Sequence, residues 1–122
     1  MKGLPPLALA AALAACVTAQ PVEAVPSTRL GETVQIGGIG IRPLSVVEDS
    51  RCPANADCVW EGRIVVRTEV HGGGATSTHD LILGEQVAVA RGRLALVAAE
   101  PQRNVREAIR PEAYRFAFAF DR

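Results

Sequence analysis

The run Tyr114-Arg115-Phe116-Ala117-Phe118-Ala119-Phe120 places an aromatic ring at every second position, with only Arg and Ala between. A period of two is that of an extended strand with one buried face, so the run predicts a core strand rather than a helix. It holds every aromatic residue of the chain except Trp60. The core is therefore expected to form on it.

The same short period recurs upstream. Thr33-Val34-Gln35-Ile36 alternates and runs into Gly37-Gly38, a hairpin signal. Residues 39–47 resume as a strand, where Pro43 predicts an edge or a bulge. Residues 63–70 put Ile64, Val66, Thr68 and Val70 on one face, with Arg63, Arg67 and Glu69 on a wet opposite face. His71-Gly72-Gly73-Gly74 turns the chain into residues 75–83, and residues 86–90 with 93–99 form a further hairpin. Short strands without a strong long helix predict an all-β fold, a small antiparallel β-sandwich or barrel.

The two halves of this pattern resemble each other. Leu30-Gly31-Glu32-x-Val34 recurs as Leu83-Gly84-Glu85-x-Val87. After a slip of one residue, Leu44-x-Val46-x-Glu48 echoes Leu96-x-Ala98-x-Glu100, and Ile64 and Val66 fall on Phe116 and Phe118. Each half then reads as a hairpin, a long loop and a return strand. A pseudo-two-fold would place the long loops, 49–62 and 101–113, in equivalent positions. In the second loop, Asn104 is expected to cap one helical turn over 105–109, stopped by Pro111.

The first loop concentrates the unusual residues: Asp49-Ser50-Arg51-Cys52-Pro53, then Asn55, Asp57 and Cys58-Val59-Trp60-Glu61-Gly62. Cys52 and Cys58 enclose a segment short enough to close as a disulfide where the chain turns back, and Pro53, Asn55 and Asp57 suit a turn. Closing so small a loop stabilises a fold by about 2 kcal/mol. The two-residue spacing of thioredoxin-like redox pairs is absent, and no further Cys or His cluster completes a zinc site. Trp60, two residues past Cys58, would share its face in a strand and pack beside the disulfide. The signature Asp49-Ser50-Arg51-Cys52-Pro53 followed by Cys58-x-Trp60-x-Gly62 resembles one found in small exported bacterial proteins and lipoproteins of unknown function. The resemblance covers this loop and, loosely, the strands around it. It implies the architecture and brings no activity, substrate or catalytic residue.

The N-terminus reads as an address. Met1 and Lys2 precede an apolar run over residues 4–15 that is too short to span a bilayer and contains Pro5 and Pro6. Leu13-Ala14-Ala15-Cys16 looks like a lipobox, with Cys16 the thiol that receives the lipid; cleavage after Val17-Thr18-Ala19 is the alternative and leaves no lipid. Assigning Cys16 to lipid leaves Cys52 and Cys58, an even pair for an oxidising compartment. The expected organisation is a signal peptide (1–15), a lipid-anchored tether (16–28) and one β-domain (29–122). The expected location is the cell envelope, on the periplasmic face of an outer membrane because Val17 is not the aspartate of a retention signal; a soluble periplasmic or secreted form is the alternative.

Composition narrows function without naming it. The formal net charge is zero and Lys2 is the one lysine, so no basic block points to nucleic acid. His71-Gly72-Gly73-Gly74 resembles an oxyanion-hole motif, but the nucleophile elbow that accompanies it is missing. A turn centred on Gly73 would set His71 opposite Ala75 and His79 near Arg67, too far apart for a shared metal. Glu48, Asp49, Asn55, Asp57 and Glu61 do not match an EF-hand spacing, and Asp49 or Asp57 is expected to organise turn amides. No cofactor, metal or enzyme activity is expected. The reading is a binding or protein-interaction module with Arg51, Asp57, Trp60 and Glu61 as contact surface and an envelope protein as partner. A small-ligand or metal carrier and an extracytoplasmic inhibitor are the alternatives.

Overall fold

The computed structural model describes residues 2–4 and 27–122. Cys16, expected to receive the lipid, the remainder of the expected signal peptide and all but the last two residues of the expected tether lie outside the described residues. Strands β1 (Val34–Ile36), β2 (Ile39–Asp49), β3 (Ile64–Gly72) and β4 (Ala75–Ile82) form one antiparallel sheet in chain order. Strands β5 (Gln86–Val89), β6 (Gly92–Glu100) and β7 (Arg115–Asp121) form a second, with a short 3-10 turn, Pro111–Ala113, before β7. The protein is all-β, a small antiparallel sandwich.

The core follows the alternation. Ile64, Val66 and Thr68 are fully buried and Val70 nearly so, all on the inner face of β3. Phe116 and Phe118 face them from β7, packed with Ile39, Ile41, Leu81, Leu94 and Leu96. Full burial of side chains this size contributes about 1.5–3 kcal/mol each. Pro43 lies at a bulge in β2, between the pairs Pro43–Thr68 and Ser45–Arg67. Strand β1 has already ended there, and the Pro43 carbonyl accepts the Gly31 amide at 2.7 Å. The missing proline N–H thus faces a turn, not a ladder.

The repeat is a property of the backbone. In the hairpin β1–β2, Val34 pairs with Ile41 and Ile36 with Ile39; in β5–β6, Val87 pairs with Leu94 and Val89 with Gly92, so each residue recurs 53 positions on. The turn Gly37-Gly38 recurs as Ala90-Arg91, with positive φ at all four residues. The bond from the Gly31 amide to the Pro43 carbonyl recurs as Gly84 to Leu96, and Glu32 to Arg29 recurs as Glu85 to Ile82. No slip is needed in the hairpin, because β-bulges at Leu44 and at Val97 occupy matching places. The return strand shifts instead, because three more residues separate Val46 from Val66 than separate Ala99 from Phe116. Pro43 pairs with Thr68 and Leu96 with Phe118, so Thr68 matches Phe118 and Val66 matches Phe116. Ile64 and Val66 therefore share the buried face with Phe116 and Phe118 as expected, two positions from the expected register.

The halves also exchange an edge. Strand β4, from the second half, lies along β3 of the first, with Leu81 opposite Val66. Thr28, 53 residues before Leu81, pairs with Phe116 of β7 through two 2.8 Å backbone bonds. Each half thereby lends its first extended segment to the other half's sheet.

Candidate functional site: a stapled loop at one end of the sandwich

The loop between β2 and β3 and the loop between β6 and β7 dock on each other. The Ala54 amide donates to the Arg103 carbonyl at 2.8 Å, and the Arg103 guanidinium donates to the Arg51 carbonyl at 2.6 Å. The Asn55 side chain bonds both the Asn104 side chain (3.2 Å) and the Val105 amide (3.1 Å). Asn104 does not cap a helical turn over 105–109. Its side-chain oxygen accepts the Arg106 amide at 2.9 Å and its carbonyl accepts the Glu107 amide, closing a tight turn. Pro111 starts the 3-10 turn rather than stopping a helix, as its fixed φ favours.

Beneath the loops is a charged clamp. Arg51 donates from Nε and Nη2 to the two Asp49 oxygens at 2.8 and 2.9 Å, and Tyr114 Oη donates to Asp49 Oδ2 at 2.8 Å. The remaining Arg51 donors reach the carbonyls of Ala99 (3.0 Å) and Pro101 (3.1 Å). Such a planar, two-pronged pair fixes geometry as well as charge. Burial pushes the Asp49 carboxyl up, but the bonds from Arg51 and Tyr114 outweigh it and hold the carboxyl below its usual range. Burial, joined by the Asp49 hydrogen bond, pushes Tyr114 up to about 12.

The Cys52–Cys58 disulfide is present. Below it the loop is pinched shut by backbone bonds: Ser50 N to Arg63 O at 2.8 Å and Cys52 N to Glu61 O at 2.9 Å. Gly62, at φ +66°, crosses so close to Ser50 that an added Cβ would sit 1.8 Å from the Ser50 carbonyl oxygen. The last glycine of the signature is thus required by the crossing itself.

The expected contact residues separate. Arg51 is turned inward, its side chain only 14% exposed, because the second loop supplies carbonyls that the local pattern does not reveal. Asp49 bonds side chains rather than turn amides. Asp57, Trp60 and Glu61 are exposed. Residues 58–61 are not in a strand, so Trp60 does not pack beside the disulfide; it is 81% exposed, next to Val59 at 91%. Tyr114, Arg103 and Asn55 organise the site and carried no local signal, since each acts across about fifty residues or more of chain. At the far turns, Gly72 pairs with Ala75, so His71 faces Thr76 and His79 faces Thr68, one position from the expected register.

The chain matches no known protein-family model, no curated protein and no solved structure. Its geometry defines an internally duplicated antiparallel β-sandwich carrying a rigid, disulfide-stapled loop with an apolar tip.

Proposed function

We propose that the chain is an exported lipoprotein, anchored at the cell envelope through Cys16, whose β-domain binds a protein partner through the loop at residues 57–61. One observation carries this reading. Asp49, Ser50, Arg51, Cys52, Cys58 and Gly62 each hold the loop in shape, whereas Trp60 stands out in solvent with Val59. A large aromatic on a pre-ordered loop binds with little entropy left to lose, which makes it a natural anchor for a partner's pocket. Arg51 belongs to the scaffold under this surface, and Asp57 and Glu61 form its acidic rim. Crosslinking in cells from positions 57 and 61, followed by mass spectrometry, tests the reading. One dominant protein adduct, lost in Trp60→Ala while the domain stays folded, supports it; only lipid and abundant-protein background, unchanged by that substitution, rejects it.

A further inference from the structure

The internal repeat supplies its own control for an anomaly at the opposite end of the sandwich. The first half turns its hairpin with Gly37-Gly38, residues that accept positive φ without strain. At the matching turn the second half uses Ala90 (φ +44°) and Arg91 (φ +67°), where side chains are strained. What the strain retains is two side chains on the wall of a cleft of about 620 Å³, between the three hairpin turns. Gly38, Ile39 and Gly73 contribute to its lining, with Arg122 beside Arg91. The lining holds no Asp or Glu side chain, and among the described residues neither arginine has an ion-pair partner within 4 Å. Asp121 lines the adjoining depression, together with Arg91, Arg93 and Arg122, without pairing to any of them. Arg122 is held in place by a 2.9 Å bond from Nη2 to the Gly37 carbonyl. The volume lies within the range of small-molecule sites.

From this we infer that the cleft between the hairpin turns is a binding site for an oxyanion, a carboxylate or phosphate group, gripped by Arg91 and Arg122. Guanidinium forks match the planar or tetrahedral oxygens of such groups and form charge-assisted bonds with them. The site is independent of the loop at residues 57–61 and of whatever that loop binds. The oxyanion has two sources, a free metabolite or a lipid headgroup.

The test follows the arginine side-chain Nε–Hε signals of the full-length chain by NMR. Potassium phosphate, sodium acetate and phosphatidylglycerol vesicles are each added at constant ionic strength. Saturable shifts confined to Arg91 and Arg122 are expected from at least one probe. Response to free phosphate or acetate assigns a soluble ligand, and response to vesicles alone assigns a headgroup. Arg91→Gly, which restores the second glycine of the first half's turn, should weaken binding roughly tenfold or more and leave the melting temperature equal or higher. Shifts that do not saturate, shifts spread over other exposed arginines, or equal affinity in Arg91→Gly would each overturn the site. A lower melting temperature in that variant would overturn the strain on which the inference rests.

Discussion

Asp49 and Tyr114 bracket the stability of the loop end in pH. The Asp49 carboxyl is held below its usual value, so its contribution is present above the ordinary carboxylate range and is lost as pH falls through the lowered folded value. Tyr114 is pushed up to about 12, so its contribution is complete below about 10, the ordinary tyrosine value, and is lost as pH rises toward 12. Tyr114→Phe keeps the ring stacked on Phe116 and removes the hydroxyl. Its melting temperature should therefore decline less than the parent's between pH 10 and 12. Asp49→Asn leaves the Arg51 guanidinium without its charge partner and should cost about 2–3 kcal/mol in denaturant unfolding at neutral pH. Trp60→Ala, by contrast, removes a side chain that packs on little, and its unfolding free energy should stay within about 0.5 kcal/mol. A loss of several kcal/mol there would mean that the indole belongs to the fold.

Among the elements, the loop at residues 50–63 is fastened to its neighbour as well as to itself. Bonds from Ala54 and Asn55 hold its first half to the second loop, and the disulfide gathers its tip. Replacing both Cys52 and Cys58 by Ser should cost about 2 kcal/mol without unfolding the domain. Hydrogen exchange should quicken over residues 56–61 and leave Ser50 and Ala54 protected. These fastenings also explain what the sequence could disclose. The strands and hairpins were legible because Val, Ile and Phe alternate with polar or small residues at period two, and because Gly37-Gly38 and Gly73-Gly74 mark turns. The Ala90-Arg91 turn carries no such glycine. The chain leading into β3 is longer than that leading into β7 and no residue type marks the extra length, so the register of β7 against β3 was hidden in the sequence. Arg51 read as a contact residue and Asn104 as a helix cap because the carbonyls of Ala99 and Pro101 and the Asn55 side chain reach them from distant chain, tertiary contacts that no local spacing encodes.

At the scale of the molecule, exchange of edge segments joins the halves, so neither sheet is complete without chain from both. Thr28 marks the seam. It is 3% exposed, and among the described residues its hydroxyl has no hydrogen-bond partner, whereas the matching position holds Leu81. Thr28→Val keeps the shape and removes the stranded hydroxyl, so it should stabilise the domain by about 1 kcal/mol in urea unfolding. Replacing the residue with Asp would put a charge in the same place and should part β7 from its edge. The β-architecture and its two halves could be read from residue patterns, but the exchange between them could not. Thr28 sits alone after a proline-rich segment, and a single bridging residue has no periodicity to detect.

The crossing at Gly62 has a consequence for how the loop can change. Backbone bonds at Ser50–Arg63 and Cys52–Glu61 close the neck below the tip. The scaffold is thereby insulated from whatever lies between Cys58 and Glu61. Foreign segments grafted between Val59 and Trp60 should leave the sandwich folded, whereas an alanine at Gly62 should not be tolerated. The tip is a place where recognition can diversify while the fold beneath it stays fixed.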